Sequence, residues 1–464
     1  MTLPSIAIVG GGFSGTLAAV HLGRRLPGVP IVLFEESPEA GPGLAYGTRS
    51  SDHLLNIRSG AMSAFGDAPD DFRRFASREL GREVSPEEFL PRSLYGDYLR
   101  HLLRLAQIVS PGLKVRHARV QDIVSSEDGH ARLILKNGET YEASKVVLAT
   151  GNQDSAFSGS VWASHTRSTR DPAAFENLAN NATVVIIGSG LSMIDAVVDL
   201  ERRGHTGPIH VTSRHGLLPQ VYEAPSTVEP PVLEHLPDSD LRRSLRLFRK
   251  AVEAHEAAGG NWRDLFAALR PVTPGLWQEL SSRDRKRFLR FLSPFWEIHR
   301  HQCAPQTRAI VDRLIASGRL TLHRGTLVSV ERKGERWSVE LAARAKGQTT
   351  RTLIADRILD ATGPARDIQT IRQPLICNLL RRGFLVPDAH RLGAETLADY
   401  RALQRNGLPS PWLQVVGPML RSRYFEATAV GELRLHAAAL AARIAGEFAA
   451  ESIEEAEKAA VVAA

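Results

Sequence analysis

The chain has 464 residues, 43% of them hydrophobic and 23% charged, with 37 glycines and 26 prolines. That length suits about three domains' worth of sequence, and that composition excludes a disordered, collagen-like or coiled-coil chain. The formal charge of +7 comes from interspersed signs with no basic block carrying interleaved aromatics, which argues against a nucleic-acid partner and for attraction of small anions.

Two cysteines, Cys303 and Cys377, lie 74 residues apart and supply no disulfide framework, CxxC pair or multi-thiolate metal site. The amino terminus lacks a basic and apolar leader, and no run of about 18 apolar residues occurs. A cytoplasmic protein that does not cross a membrane is expected.

Taken in chain order, Ile6–Val9 is a β-branched strand, followed by Gly10-Gly-Gly12-Phe-Ser-Gly15, a helix from Thr16, and a strand Ile31–Phe34 ending at Glu35. This is a βαβ unit whose glycines permit close approach of a pyrophosphate to a helix amino terminus. Glu35, 20 residues past Gly15, stands where an acid accepts protons from both ribose hydroxyls. Next, Arg92, Tyr95 and Tyr98 share a helix with Leu94, Leu102 and Leu105, and the tyrosines read as core aromatics. A meander follows, from Lys114–Val124 through Ala131–Leu135 and Tyr141, closing on Val146-Val-Leu-Ala-Thr-Gly151.

The same grammar returns in Thr183–Ile187, Gly188-Ser-Gly190, a helix through Leu200, and a strand Ile209–Thr212. Met193 replaces the third glycine, which loosens helix–strand contact but keeps the two glycines that approach phosphate. The acid is replaced by Ser213-Arg214-His215, groups that attract a 2′-phosphate where a carboxylate would repel it. Glu35 therefore suits FAD or NAD, and Ser213 and Arg214 suit NADPH. Leu320–His323, Leu327–Val330 and Trp337–Leu341 lead to a second Ala-Thr-Gly ending at Gly363.

Between these lies an insertion at about 225–304 with amphipathic spacing at Leu241, Leu245, Phe248 and Val252 and at Trp262, Leu265, Phe266 and Leu269. It reads as a packed helical subdomain, with a substrate-shaping lid as the sharper alternative. Its end gathers His299, Arg300, His301 and Cys303. His299, Arg300 and His301 are the candidate catalytic or cofactor-contacting groups, and a hydrogen-bonded structural cluster is the alternative. A metal site from alternate residues of a strand is conceivable, but lacks a fourth ligand. No metal is expected.

Two glycine-turn units, each answered by Ala-Thr-Gly, resemble the two-dinucleotide-binding-domain flavoproteins, the superfamily of glutathione and thioredoxin reductases and flavin-containing monooxygenases. Gly41–Thr48, His53-Leu-Leu-Asn56, Ala61–Ser63, Phe89–Gly96, Trp296–His301, Gly417–Met419 and Glu426–Ala429 further resemble a bacterial family of FAD/NAD(P)-binding proteins related to class B monooxygenases. Phe157, Gly159 and His165 are similar to the Phe-x-Gly-x-x-x-His fingerprint of that class, with two extra residues before the histidine.

The resemblance implies an α/β fold with two Rossmann-like domains. The first holds FAD on Gly10, Gly12, Gly15 and Glu35, with Asn56 and Gly151 near it and Gly417 and the helix opening at Thr428 returning to it. Gly188, Gly190, Ser213, Arg214 and Gly363 complete the dinucleotide sites, and Glu426 is either near the flavin or a solvated helix-start acid. Expected boundaries are 1–155 and 325–464 for the FAD domain and 156–324 for the NADPH domain. The implied activity is a monooxygenase using NADPH, molecular oxygen and a flavin C4a-(hydro)peroxide on a small molecule, by N-, S- or C-hydroxylation or Baeyer–Villiger insertion. The alternatives are an NADPH-dependent reductase for a protein or quinone, and a flavin-binding redox sensor. A homodimer is compatible with either enzyme.

Overall fold

The computed structural model describes residues 5–152, 162–233, 240–342 and 350–463. They form two units: Met1–Arg49, Ser59–Gln153 and Arg366–Ala464 make the first, and Ser50–Arg58 with Asp154–Ala365 the second.

The first unit begins with β1 (Ile6–Val9), α1 (Phe13–Arg25) and β2 (Ile31–Glu35). All four β1 residues are buried, as a strand covered on both faces demands; each large side chain so buried contributes about 1.5–3 kcal/mol. The short α2 (Gly43–Tyr46), α3 (Asp71–Leu80) and α4 (Arg92–Val109) follow, then β3 (Leu113–His117). Tyr95 and Tyr98 are wholly buried among Phe72 and Phe75, whereas Leu105 is 44% exposed, so the aromatics rather than Leu105 form the inner face of α4. The meander is β4 (Val120–Ser125), β5 (Ala131–Leu135) and β6 (Thr140–Ala143), and β7 (Lys145–Leu148) returns to the main sheet.

In the second unit β8 (Arg167–Ser168) precedes β9 (Val184–Ile187), α5 (Leu191–Arg202) and β10 (Ile209–Ser213). The insertion supplies α6 (Leu241–Ala257), α7 (Trp262–Leu269), α8 (Thr273–Glu279), α9 (Ser282–Arg287), a π-helical turn at Phe288–Leu292, and α10 (Ser293–Arg300). Leu233, Leu265 and Leu269 form its own small core. Then come α11 (Pro305–Ala316), β11 (Leu320–Arg324), a meander of β12 (Thr326–Lys333), β13 (Arg336–Ala342) and β14 (Arg351–Ala355), and β15 (Arg357–Asp360).

The chain then re-enters the first unit through α12 (Pro374–Arg382), β16 (Arg401–Leu403), β17 (Pro409–Val415), the turn α13 (Arg421–Tyr424) and α14 (Val430–Ala463). Sheet orders are β16-β17-β7-β1-β2-β3 and β11-β10-β9-β15-β8, so β3-β2-β1-β7 and β11-β10-β9-β15 are the same arrangement twice. Among the described residues no helix is long and apolar enough to cross a membrane.

Three expectations change. Residues 325–365 belong to the second unit rather than the first, because β15 pairs with β9 and the meander packs Val330, Val339 and Leu341 onto Val185 and Ile187. The segment 50–58 likewise departs from the first unit. Finally, Leu113–His117 and Leu320–Arg324 extend the parallel sheets instead of opening the meanders.

Candidate functional site

In each unit the site is assembled at the carboxyl edge of the parallel sheet, the edge where such sheets hold ligands. Gly10 follows β1 with φ +103°, and a Cβ there would overlap the Ala149 carbonyl. A Cβ at Gly15 would overlap the Gly10 carbonyl, so only glycine lets α1 approach the strand this closely. Gly12 is the N-cap of α1, which has no side-chain cap and no acid in its first turn. Its first-turn backbone N–H groups thus have no side-chain cap, the arrangement of an anion-binding helix start.

Glu35 fixes this turn from β2. Its Oε2 accepts from the Gly11 N–H at 2.6 Å, and Oε1 accepts from the Ser37 N–H at 2.8 Å and hydroxyl at 2.7 Å. The acid is half-buried and retains lone pairs for ribose hydroxyls. Gly151 lies past β7 with φ +67° and open space where a Cβ would be. Gly417 (φ +97°) follows β17, and a Cβ there would come within 3.2 Å of Ser14 Oγ in the first turn of α1. The structure therefore brings Gly10, Gly12, Gly15, Glu35, Gly151 and Gly417 into one unit.

Thr428 is half-buried two residues before α14, its N–H donating to the Glu426 carbonyl at 2.6 Å. Glu426 is only 3% exposed, which removes the reading of it as a solvated acid. Asn56 is the exception: it travels with the second unit and is not gathered with Gly10 and Glu35 inside the first. Its segment is tied to α5 by His53 Nε2 at 3.1 Å from Asp199 Oδ2 and by Asp52 at 3.6 Å from Arg202.

The second unit reproduces the cradle. Gly188 (φ +107°) would overlap the Ala361 carbonyl if it carried a Cβ, as Gly10 would overlap Ala149. Gly190 caps α5, again with no side-chain cap and with open space at its Cβ position. Gly363 (φ +82°) stands open past β15 as Gly151 does past β7. Met193, in place of the third glycine, is fully buried in the core cluster that includes Val184 and Ile186, so its thioether chain helps fill the core beneath α5. Both cradles keep backbone N–H groups uncapped beside space that a Cβ would fill, which fits a pyrophosphate in each.

Ser213 ends β10. Its hydroxyl accepts from the Gly216 N–H at 3.0 Å and lies 2.9 Å from Ser189 Oγ, which donates to the Leu217 carbonyl at 2.6 Å. Ser213 thus shapes the turn, and Arg214 is exposed and makes no ion pair or hydrogen bond among the described residues.

His299, Arg300 and His301 close a helix rather than a strand, so they do not share one face. His299 Nδ1 lies 2.7 Å from the Phe295 carbonyl with its ring stacked on Phe266 at 5.4 Å. His301 Nδ1 pairs with Glu297 at 2.8 Å. The Cys303 thiol faces the Gln220 carbonyl at 3.5 Å, and burial pushes its pKa up. No group of three or more metal-binding side chains occurs among the described residues. Of the Phe-x-Gly fingerprint, Phe157 and Gly159 lie outside the described residues, and His165 packs edge-on against Trp337 at 5.1 Å.

Sequence reasoning missed a hub in the insertion. Asp264 is 5% exposed and accepts from the Ser226 N–H (3.1 Å) and hydroxyl (2.6 Å), from the Asn261 N–H (3.0 Å), and lies 3.0 Å from His255 Nε2. Burial opposes its charge, yet the hydrogen bonds from Ser226, His255 and Asn261 outweigh that and hold its pKa below the ordinary aspartate value. The Asn261-x-x-Asp264 spacing, a capping box on α7, was the available signal.

Residues 7–153 match a family model described as FAD-NAD(P)-binding. No curated protein matches the chain in sequence. Among solved structures, the cadaverine monooxygenase DfoA of Erwinia amylovora, bound to FAD, is 14% identical with a TM-score of 0.67, covering 96% of this chain and 95% of that one. The ornithine N-hydroxylase KtzI of Kutzneria sp., with reduced FAD, NADP⁺ and L-ornithine, is 14% identical at 0.64, covering 95% and 99%. The thioredoxin reductase of Lactococcus lactis is 11% identical at 0.52, covering 97% and 99%. The chain shares the fold of these solved structures, and its residues 7–153 match an FAD-NAD(P)-binding domain.

Proposed function

We propose that this flavoprotein is an FAD-dependent, NADPH-consuming monooxygenase of a small organic molecule, with N-hydroxylation of a primary amine as the first reaction to test. The observation that carries the reading is the pairing of two nearly identical cradles with opposite strand-end chemistry. Glu35 in the first offers a carboxylate to ribose hydroxyls, while Ser213 and Arg214 in the second offer a hydroxyl and a guanidinium, groups that tolerate a 2′-phosphate. Two different dinucleotides are the natural occupants.

Dithiol reductases of this fold need a cysteine pair. Here Cys303 is buried in the second unit and Cys377 is exposed in the first, so that chemistry has no carrier. The amine-hydroxylating neighbours support the oxygenase reading over reduction of a disulfide.

In this reading the uncapped amino terminus of α1 holds the FAD pyrophosphate, Glu35 orients the adenosine ribose, and Gly151 and Gly417 keep side chains out of the cofactor's path. Bound FAD supplies hydride acceptance and activation of molecular oxygen. The α5 turn at Gly188 and Gly190 holds the second pyrophosphate, and Arg214 holds the phosphate that distinguishes NADPH. The insertion touches the segment that follows β10: the Phe295 ring lies 6.2 Å from that of His215, and the Gln220 N–H donates to the Ile298 carbonyl at 2.9 Å. That placement supports its role as a lid rather than a remote appendage.

The test is a panel of diamines, basic amino acids, ketones and thioethers, scored for substrate-stimulated NADPH oxidation and for product by mass spectrometry. The expected result is one hydroxylamine formed per NADPH consumed with an amine substrate. NADPH oxidation that yields only hydrogen peroxide with every substrate, or that needs a quinone or protein acceptor, would refute it.

A further inference from the structure

The strand beside β10 carries a charge that no local motif reveals. In the second sheet Ser213 is the register partner of Arg324, the last residue of β11, and the Gly325 N–H donates to the Ser213 carbonyl at 3.0 Å. The Arg324 stem lies against the turn after β10: a Cβ at Gly216 would stand 3.3 Å from that of Arg324. Arg324, like Arg214, is exposed and makes no ion pair or hydrogen bond among the described residues.

The first sheet offers an internal control. There the corresponding partners are Glu35 on β2 and His117 on β3, and His117 Nδ1 lies 3.0 Å from the Ser37 carbonyl. Between the two copies of the fold, the strand-end acid has become Ser213-Arg214 and its neighbour has become a second guanidinium. Both changes run toward binding an anion.

A single exposed guanidinium is a weak anchor, because water and salt screen it. A ribose 2′-phosphate carries about −1.5 to −2 charges near neutral pH and presents three oxygens, enough for two guanidinium forks approaching from adjacent strands. We propose that Arg324 and Arg214 together clamp the 2′-phosphate of the nicotinamide dinucleotide, so that NADP selectivity is set by two strand ends brought together by the fold. This rests on the reading of the second unit as the nicotinamide dinucleotide site.

The experiment is equilibrium binding by titration calorimetry of 2′,5′-ADP and of 5′-AMP to the full-length protein, wild type and with Arg324→Ala, Arg324→Lys or Arg214→Ala. Wild type is expected to bind 2′,5′-ADP more tightly than 5′-AMP, by about tenfold or more. Arg324→Ala should weaken 2′,5′-ADP about tenfold, the worth of a hydrogen bond to a charged group, while leaving 5′-AMP unchanged. Arg324→Lys should recover part of the loss, since lysine keeps the charge without the fork. Wild-type discrimination that survives Arg324→Ala intact overturns the inference alone. Wild type binding both ligands equally, or neither, overturns the nicotinamide-site reading and the inference with it.

Discussion

Replacing Glu35 by glutamine tests the first cradle at the point where fold and ligand share one group. The carboxylate accepts from Gly11 N–H at 2.6 Å and from the Ser37 N–H and hydroxyl at 2.8 and 2.7 Å. A glutamine keeps the shape but turns one acceptor into an NH₂ donor. Turned one way, that NH₂ meets the Gly11 N–H; turned the other, it meets the Ser37 N–H. Each orientation loses a hydrogen bond within the turn, which lowers the stability of apoprotein and complex alike, while FAD affinity falls because the charged acceptor for the ribose hydroxyls becomes a neutral amide, a hydrogen bond worth about 1.5–3 kcal/mol. A loss of about 2–3 kcal/mol in FAD binding corresponds to roughly 30- to 150-fold in Kd. The assay is titration of apoprotein with FAD followed by flavin fluorescence, with the melting temperature of the apoprotein recorded beside it. A Kd for Glu35→Gln within about threefold of wild type would show that this carboxylate orders its own loop and touches no ribose.

Gly188→Ala is expected to abolish nicotinamide dinucleotide binding and lower the melting temperature, because its Cβ would overlap the Ala361 carbonyl at φ +107°; Gly363→Ala meets open space and should cost only about 1 kcal/mol for its left-handed backbone. Comparing their thermal melts separates steric exclusion from backbone preference, and equal losses would contradict the geometry. Asp264→Asn removes the charge and turns one of the two oxygens that serve Ser226, Asn261 and His255 into an NH₂, and should cost about 3 kcal/mol locally, seen as faster hydrogen exchange in 240–300 with the parallel sheets still protected. The stability Asp264 confers is present above about pH 4 and is lost as pH falls through its lower folded value. His323 is 7% exposed and pushed down to about 4 by burial, then by His210 and Arg351. Its folded pKa is below the unfolded one, so its contribution is full above about pH 6.5, falls as pH drops toward 4, and is worth about 1.4 kcal/mol for each pH unit crossed. His323→Gln should flatten the fall in melting temperature between pH 6.5 and 4.5; an unchanged slope would place the acid sensitivity elsewhere.

What was legible in the sequence was whatever is local along the chain. The turns at Gly10 and Gly188 announce themselves because strand, glycines and helix are contiguous, and the carbonyl overlaps at Ala149 and Ala361 are the physical reason those glycines stand where they do. Glu35 was found by its distance from the turn, and Tyr95 and Tyr98 by helical spacing. Partnerships made across the fold were not legible. His53 meets Asp199 at 3.1 Å from 146 residues away, which is how the segment bearing Asn56 comes to travel with the second unit. The meander at 326–355 follows β11 directly, and the pairing of β15 with β9 together with the packing of Val330 and Val339 with Val185 shows which sheet it serves. His299 and His301 suggested a shared site by closeness in sequence, but a helix end turns them apart, one to a backbone carbonyl and one to Glu297. Arg324, separated from Ser213 by the whole helical insertion, gives no local signal at all.

The most direct test of the paired cradles is anaerobic rapid mixing of the purified protein with NADPH and with NADH, after its flavin content has been measured. The expected result is one FAD per chain, bleached by NADPH at a rate that NADH approaches only at far higher concentration. Protein that retains no flavin after reconstitution, or flavin reduced equally well by both nucleotides at equal concentration, would contradict the division of labour between Glu35 and Arg214.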